Sequence, residues 1–221
     1  MTTVVKGDFI DFRFTGKVNG EIFDSNIEED ARKISPDMKP VPLIIVVGEH
    51  MVVRGLDNAL EGKEIGKTYT ITVRAKDGFG QRNTSLIKTL PLTIFAERNI
   101  TPQPGMTLAL DNHIVKIRAV SGARVIADFN NPLAGKDLDY IFIISRKVED
   151  ISEKARSFFE GFLHISPKFN IGEKVTVRGP KELETFIMIL KDRFKALVGK
   201  DLDFSIEEKD ISGISQTHQT Q

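Results

Sequence analysis

The dipeptide Asn19-Gly20 sits between two strand-like runs, Phe9 to Phe14 with Lys17-Val18 on one side and Glu21-Ile22-Phe23 on the other. A two-residue loop of this kind takes positive φ at both positions, which Asn and Gly tolerate and which matches the twist of paired strands. The chain therefore opens on an antiparallel hairpin. Asp24 to Lys39 reads as a polar loop, and Pro40-Val41-Pro42 leads into a buried-strand run, Leu43 to Val47. Val52, Val53, Leu56 and Leu60 fall near helical spacing, and Gly62 suits a C-terminal cap, so Val52 to Gly62 reads as a short helix. Lys63 to Gly66 is a turn, after which Tyr69, Ile71 and Val73 alternate with threonines as a half-buried strand.

A fresh set of short elements begins after Gly80. Thr84 to Arg98 reads as a loop or irregular helix carrying Leu86, Leu90, Leu92, Ile94 and Phe95. Met106 to Leu110, His113 to Val120 and Ala123 to Phe129 read as three strands, and Asp139 to Ile144 as another core strand after a turn at Asn131-Pro132-Leu133-Ala134-Gly135. A third set follows. Ser152 to Leu163 reads as a helix capped by Ser152 or Asp150, Lys174 to Arg178 as a strand, and Leu202 to Glu207 as a last strand. The clearest helix is Pro180 to Val198, with Pro180 at its start and Gly199 past its end. Leu183, Phe186, Ile187, Leu190, Phe194 and Leu197 form its apolar stripe, and Met188 and Ile189 lie off that stripe. A helix apolar on a second face needs a second partner, either the Phe158, Phe159, Phe162 and Leu163 segment or another copy of the chain.

The 221 residues suit two or three small units better than one. Lys+Arg and Asp+Glu are both 31, so the electrostatic drive toward nucleic acid is missing. With no cysteine, disulfides, thiol catalysis and cysteine-based zinc sites are excluded. The histidines His50, His113, His164 and His218 show no ligand spacing, so no metal or other cofactor is expected. No apolar run is long enough to span a bilayer, and the first residues lack the basic and apolar regions of a leader; a cytoplasmic location is the expectation.

Several segments, in order, carry a resemblance. They are Phe14-Thr15-Gly16, Gly20-Glu21-Ile22-Phe23-Asp24-Ser25, Gly48-Glu49-His50-Met51-Val52-Val53-Arg54-Gly55-Leu56, Ala59 to Gly66, and Gly78-Phe79-Gly80. Together they resemble the FKBP-type peptidyl-prolyl cis–trans isomerases. The long gap before the strand at Tyr140 resembles the SlyD-like branch, which carries an inserted chaperone domain there, and the extra C-terminal unit resembles its long archaeal members. The resemblance implies an α+β fold, an FKBP-like antiparallel half-barrel sheet around a short helix. It implies an isomerase unit over 1–82 and 130–150, a mainly-β insert over 83–129, a small C-terminal α/β unit over 151–208 and a polar tail over 209–221.

By motif position, the resemblance implies a proline pocket with Asp24, Phe79 and Tyr140 as catalytic residues. Phe14, Phe23, Leu43, Val52, Val53, Leu56 and Leu133 would bind substrate, with the Val53 N–H taking a substrate carbonyl. It implies that Leu86, Leu90, Leu92, Ile94 and Phe95 supply a chain-binding surface on the insert. The partners would be unfolded or nascent chains containing X–Pro bonds, and a homodimer through the C-terminal unit is open. Rotation about X–Pro breaks no covalent bond, so an apolar cup that removes water from the polarised amide suffices. The residues alone leave other readings open: Asp24 as a turn carboxylate, the aromatics as ordinary core, and the insert's leucines as the insert's own core. Two positions that are usually tyrosine in the family hold Phe14 and Phe79, and Leu56 stands where many members have tryptophan. The missing hydroxyls imply slower turnover and weaker macrolide binding, and keep a holdase with little isomerase activity as the alternative.

Overall fold

The computed structural model describes residues 2–206. The opening hairpin forms as read: β1 (Phe9–Val18) turns at Asn19 (φ 51°) and Gly20 (φ 85°) into β2 (Glu21–Ser25). The segment expected to be all loop instead contains α1 (Glu28–Ile34), with Glu28, Glu29 and Asp30 in its first turn and Arg32 and Lys33 in its last. That arrangement complements the helix dipole, and with only Ala31 buried there was no apolar stripe to reveal it. β3 (Leu43–Val46), α2 (Arg54–Asn58) and β4 (Thr68–Val73) complete the first stretch.

A second sheet then intervenes, built from β5 (Ile87–Pro91), β6 (Thr107–Leu110), β7 (His113–Ser121) and β8 (Arg124–Asp128), with α3 (Thr93–Ala96) after β5. Its order is β5-β8-β7-β6, all antiparallel. The chain returns through β9 (Leu138–Lys147) into the first sheet, whose order is β2-β1-β9-β4 with β3 also paired to β1. The last stretch holds α4 (Ile151–Leu163), β10 (Lys168–Ile171), β11 (Val175–Gly179), α5 (Glu184–Val198) and β12 (Leu202–Ile206), a three-stranded sheet with two helices. Asp150 caps α4 by accepting from the Glu153 N–H, and Gly199 ends α5 at φ 82°. The expected α+β architecture is the one observed. The polar tail expected over 209–221 lies outside the described residues, as does His218.

Three apolar cores follow these sheets. Ile10, Phe12, Phe14, Leu56, Tyr140 and Phe142 anchor the first, between the five-stranded sheet and α2. Phe95, Val115, Ile117 and Val125 anchor the second, inside the four-stranded sheet. The third joins Phe158, Phe159, Ile187 and Phe194 of the C-terminal helices to Phe9 of β1 and Val46 of β3. The C-terminal unit therefore shares a core with the first sheet. Phe186, expected in the α5 stripe, is 57% exposed, because β11 and β12 cover only the Ile187/Phe194 face. Met188 and Ile189 are exposed as well, Ile189 at 73%.

Among the described residues no helix is long and apolar enough to cross a membrane.

Candidate functional site

The candidate pocket forms where β2, β1 and β9 lie side by side. Gly16 of β1 pairs with Asp24 of β2 on one flank and with Tyr140 of β9 on the other. A Cβ at Gly16 would stand 2.7 Å from one Phe23 ring carbon and 3.1 Å from a Tyr140 ring carbon. The missing side chain is what lets the two rings settle over the strand, 5.9 Å apart and edge to face. Phe79 meets Phe23 edge-on at 6.3 Å, and Phe14 lies 6.1 Å from Tyr140. Leu43, Val52, Val53 and Leu133 are half-buried against the same core, with Leu56 buried beneath them. These side chains belong to one apolar cluster, in which Phe14, Leu56 and Tyr140 are buried and Phe23, Leu43, Val52, Val53, Phe79 and Leu133 stay partly exposed. Gly16 was legible only as part of a motif; a glycine inside a strand pattern was the available signal.

Asp24 stands at the rim. Its place is set by the chain that follows, which is tied back to β1. Asn26 Oδ1 accepts from the Phe14 N–H at 2.8 Å, Asn26 Nδ2 donates to the Phe12 carbonyl at 2.7 Å, and Ser25 Oγ donates to the Phe14 carbonyl at 3.0 Å. Thr15 Oγ1 donates to Asp30 of α1 at 2.7 Å, holding that helix against the strand. Partial desolvation pushes the Asp24 carboxyl above the usual aspartate range, against a lowering hydrogen bond from the Ser25 backbone. Burial also pushes the Tyr140 phenol up, to about 12, with the nearby Asp24 charge adding to it. The Tyr140 phenol is therefore neutral at neutral pH, and burial works against charge on the Asp24 carboxyl beside it.

Val53 precedes α2, and its carbonyl accepts from the Leu56 and Asp57 N–H groups at 2.9 and 3.0 Å. Its own N–H has no partner among the described residues, although the residue is half-buried. Such a donor is costly to leave unmade. The turn before it is organised by Asp57, 1% exposed, which sequence reasoning did not single out. Asp57 accepts from the Gly48 N–H at 2.9 Å and the His50 N–H at 3.0 Å, and lies 3.1 Å from His50 Nδ1.

On the insert, the five side chains expected to form a binding surface separate. Leu86 is 37% exposed, but Leu90, Leu92 and Ile94 are half-buried against the insert's core. Phe95 is 0% exposed and is removed from the surface: it fills the centre of that core, where so small a sheet needs its largest side chain. Ile87, Met106, Ile114 and Ile126, which the sequence reading passed over, are the exposed apolar residues alongside Leu86. The two segments joining the second sheet to the first, at Asn83 and Asn130, are clipped together. Asn130 Oδ1 accepts from the Asn83 N–H at 2.7 Å, Asn130 Nδ2 donates to the Asn83 carbonyl at 3.0 Å, and buried Asp128 pairs with Arg82 and Arg118.

The model of the FKBP-type peptidyl-prolyl cis-trans isomerase family matches residues 1–95, and that of the FKBP26 IF domain matches 88–133. A short-type peptidyl-prolyl cis-trans isomerase of Methanocaldococcus jannaschii is 32% identical over 151 residues, covering 67% of this chain and 94% of that protein. The chain belongs to the FKBP-type peptidyl-prolyl cis-trans isomerase family. FKBP-type isomerases named SlyD are similar too: 31% identity over 116 residues for Yersinia pestis and 30% over 116 for Escherichia coli K12. Each match covers 51% of this chain and 59% of the relative. The reaction of this FKBP-type chain is therefore cis–trans isomerisation of X–Pro bonds.

Proposed function

We propose that the cup around Gly16 is where the isomerisation occurs, with Phe14, Phe23, Phe79 and Tyr140 gripping the prolyl ring and the Val53 N–H holding a substrate carbonyl. The observation that carries this is the Val53 N–H, without a partner among the described residues, in the same apolar cluster as the partly exposed rings of Phe23 and Phe79 and the buried rings of Phe14 and Tyr140. The amide to be turned is stabilised by resonance, which places charge on its oxygen and sets a barrier of about 18–20 kcal/mol. A dry cup favours the twisted, less polar transition state over that polarised ground state. Lowering the barrier by ~5 kcal/mol accelerates the rotation a few thousandfold. Asp24, at the rim and partly desolvated, acts electrostatically on the turning carbonyl.

We further propose that the insert captures unfolded chains and delivers their prolines to the cup. Supporting this, Leu86, Ile87 and Ile126 are exposed, and β5 is an edge strand open to an added strand. A weak capture site tethered to the cup raises the local concentration of substrate without new contacts at the pocket. Because the Asn83 N–H meets Asn130 Oδ1 at 2.7 Å, the ends left by deleting 83–129 lie close together, and closing the gap should spare the cup. In a protease-coupled assay the shortened chain is expected to turn over an X–Pro tetrapeptide like the parent, while proline-limited refolding of a protein client slows. Equal performance on both substrates removes the delivery role, and no turnover by the parent removes the cup.

The exposed Phe186, Met188 and Ile189 on α5 favour a second copy as their cover. Light scattering across micromolar concentrations tests it, a monomeric mass throughout counting against it.

A further inference from the structure

The turn from Gly48 to Val53, which ends on the candidate carbonyl-binding N–H, is held from behind by the C-terminal helices. Glu49 accepts from Arg193 of α5, through Nε at 2.8 Å and through a second guanidinium nitrogen. Arg193 is itself stacked on Phe162 of α4, its guanidinium carbon 4.5 Å from the ring centre. Two residues along, Met51 accepts on its sulfur from the Val46 N–H at 3.2 Å. Its methyl end lies in a notch over Gly161 of α4, where a Cβ would stand 2.1 Å from Met51 Cε and 3.1 Å from the sulfur. Met51 packs against both the pocket core and the C-terminal core. The turn carries one residue in an unfavourable backbone region: His50 has positive φ, 58°, a conformation that costs a side-chain-bearing residue and persists where the surroundings hold it.

We propose that Arg193 and Gly161 are positioning residues for isomerisation, acting through Glu49 and Met51 to fix the Val53 N–H toward substrate. Asp57 grips this turn from the pocket side and the C-terminal helices grip it from the other, so the turn is clamped between two cores. The C-terminal unit is then part of the catalytic apparatus rather than an appendage, and whatever covers or shifts α5 is felt at the cup. A planar guanidinium is needed to meet Glu49 and Phe162 at once, which a lysine does not do.

The inference rests on the pocket reading above, so its test has an arm that does not depend on turnover. In the full chain, Arg193→Ala is expected to lower kcat/KM for an X–Pro tetrapeptide about two- to fivefold, the scale of a partly exposed ion pair. The loss should appear in KM, because the Val53 contact holds ground and transition states alike. Arg193→Lys should recover little of it, and so should the exchange Glu49→Arg with Arg193→Glu, which restores the ion pair but leaves a carboxylate over Phe162. Gly161→Ala favours helix α4 by propensity, so any effect it has comes through displaced Met51. Amide resonances of His50, Val52 and Val53 should move in both Arg193→Ala and Gly161→Ala, whatever the turnover. If those amides stay put and KM is unchanged in both variants, the brace is wrong and the cup stands. A loss confined to kcat, or one that tracks a fall in Tm with shifts spread over the whole chain, also overturns it.

Discussion

Gly16→Ala tests whether the aromatic pair over β1 is the working surface of the pocket. The new methyl would stand 2.7 and 3.0 Å from two Phe23 ring carbons and 3.1 Å from Tyr140, well inside van der Waals contact. Neither ring retreats freely. Phe23 is backed by Phe79 at 6.3 Å, and Tyr140 is 3% exposed and packed on Phe14. Overpacking of this kind costs about 1–3 kcal/mol, and removing a strand glycine returns roughly 0.5–1 kcal/mol of that. If the rings swing outward to make room, the strain appears as a mis-shaped cup. A displacement worth ~1.4 kcal/mol in the transition state lowers kcat/KM about tenfold. The assay is tetrapeptide turnover by protease coupling, read beside thermal unfolding of the same variant. The expected result is a roughly tenfold fall in kcat/KM with Tm lower by only a few degrees. Full activity despite a lowered Tm would refute the reasoning, because the rings would then have moved without the reaction noticing.

Phe79→Tyr restores a hydroxyl at the mouth of the cup and should raise tetrapeptide turnover about two- to tenfold, the scale of one hydrogen bond; an unchanged or slower rate defeats the hydroxyl argument. Asp24 binds its proton more tightly in the fold than in the unfolded chain, so its ionisation lies above the ordinary aspartate pKa of 3.8. The acid limb of kcat/KM should therefore fall at a pH above that value, and Asp24→Asn should be slower at neutral pH and flat through the same range. An unaltered acid limb in Asp24→Asn would assign the titration elsewhere. Asp128 shifts the other way. Burial works to raise it, but the Asn130 hydrogen bonds with Arg82 and Arg118 outweigh that and hold it below 3.8. Its contribution is present above 3.8 and is lost as pH falls through the lower folded value. Asp128→Asn should lower Tm at pH 7 and converge with the parent in acid. The cost should stay below the ~3–5 kcal/mol of a fully buried pair, because both arginines are substantially exposed. A Tm difference that is independent of pH would show that the carboxylate's charge is not what holds Arg82 and Arg118 to Asp128.

What the sequence disclosed and what it hid divide along the range of the interactions responsible. The Asn19-Gly20 turn, the Asp150 cap and the Gly199 stop are each decided within a few residues, and each is found where the residues put it. Pocket residues such as Phe23, Val52 and Tyr140 were named through motif order and not through periodicity, since a half-buried phenylalanine in a strand spells core and cup alike. Burial within the insert was misjudged at Phe95 because apolar identity does not say which leucines and phenylalanines a small sheet draws inward. It also kept Ile126 from notice: on β8, alternation puts it outward between buried Val125 and Ala127, although all three look equally apolar. The clamp on Gly48–Val53 lay furthest from view. Glu49 and Arg193 are 144 positions apart, and neither has a local reason to be more than a solvated charge. Only when α4 and α5 close over Phe9 and Val46 do the carboxylate, the guanidinium and the Gly161 notch come together behind the pocket turn. Short-range chemistry therefore fixed the turns and caps, motif order named the candidate pocket residues, and long-range packing ties the Gly48–Val53 turn to the C-terminal helices.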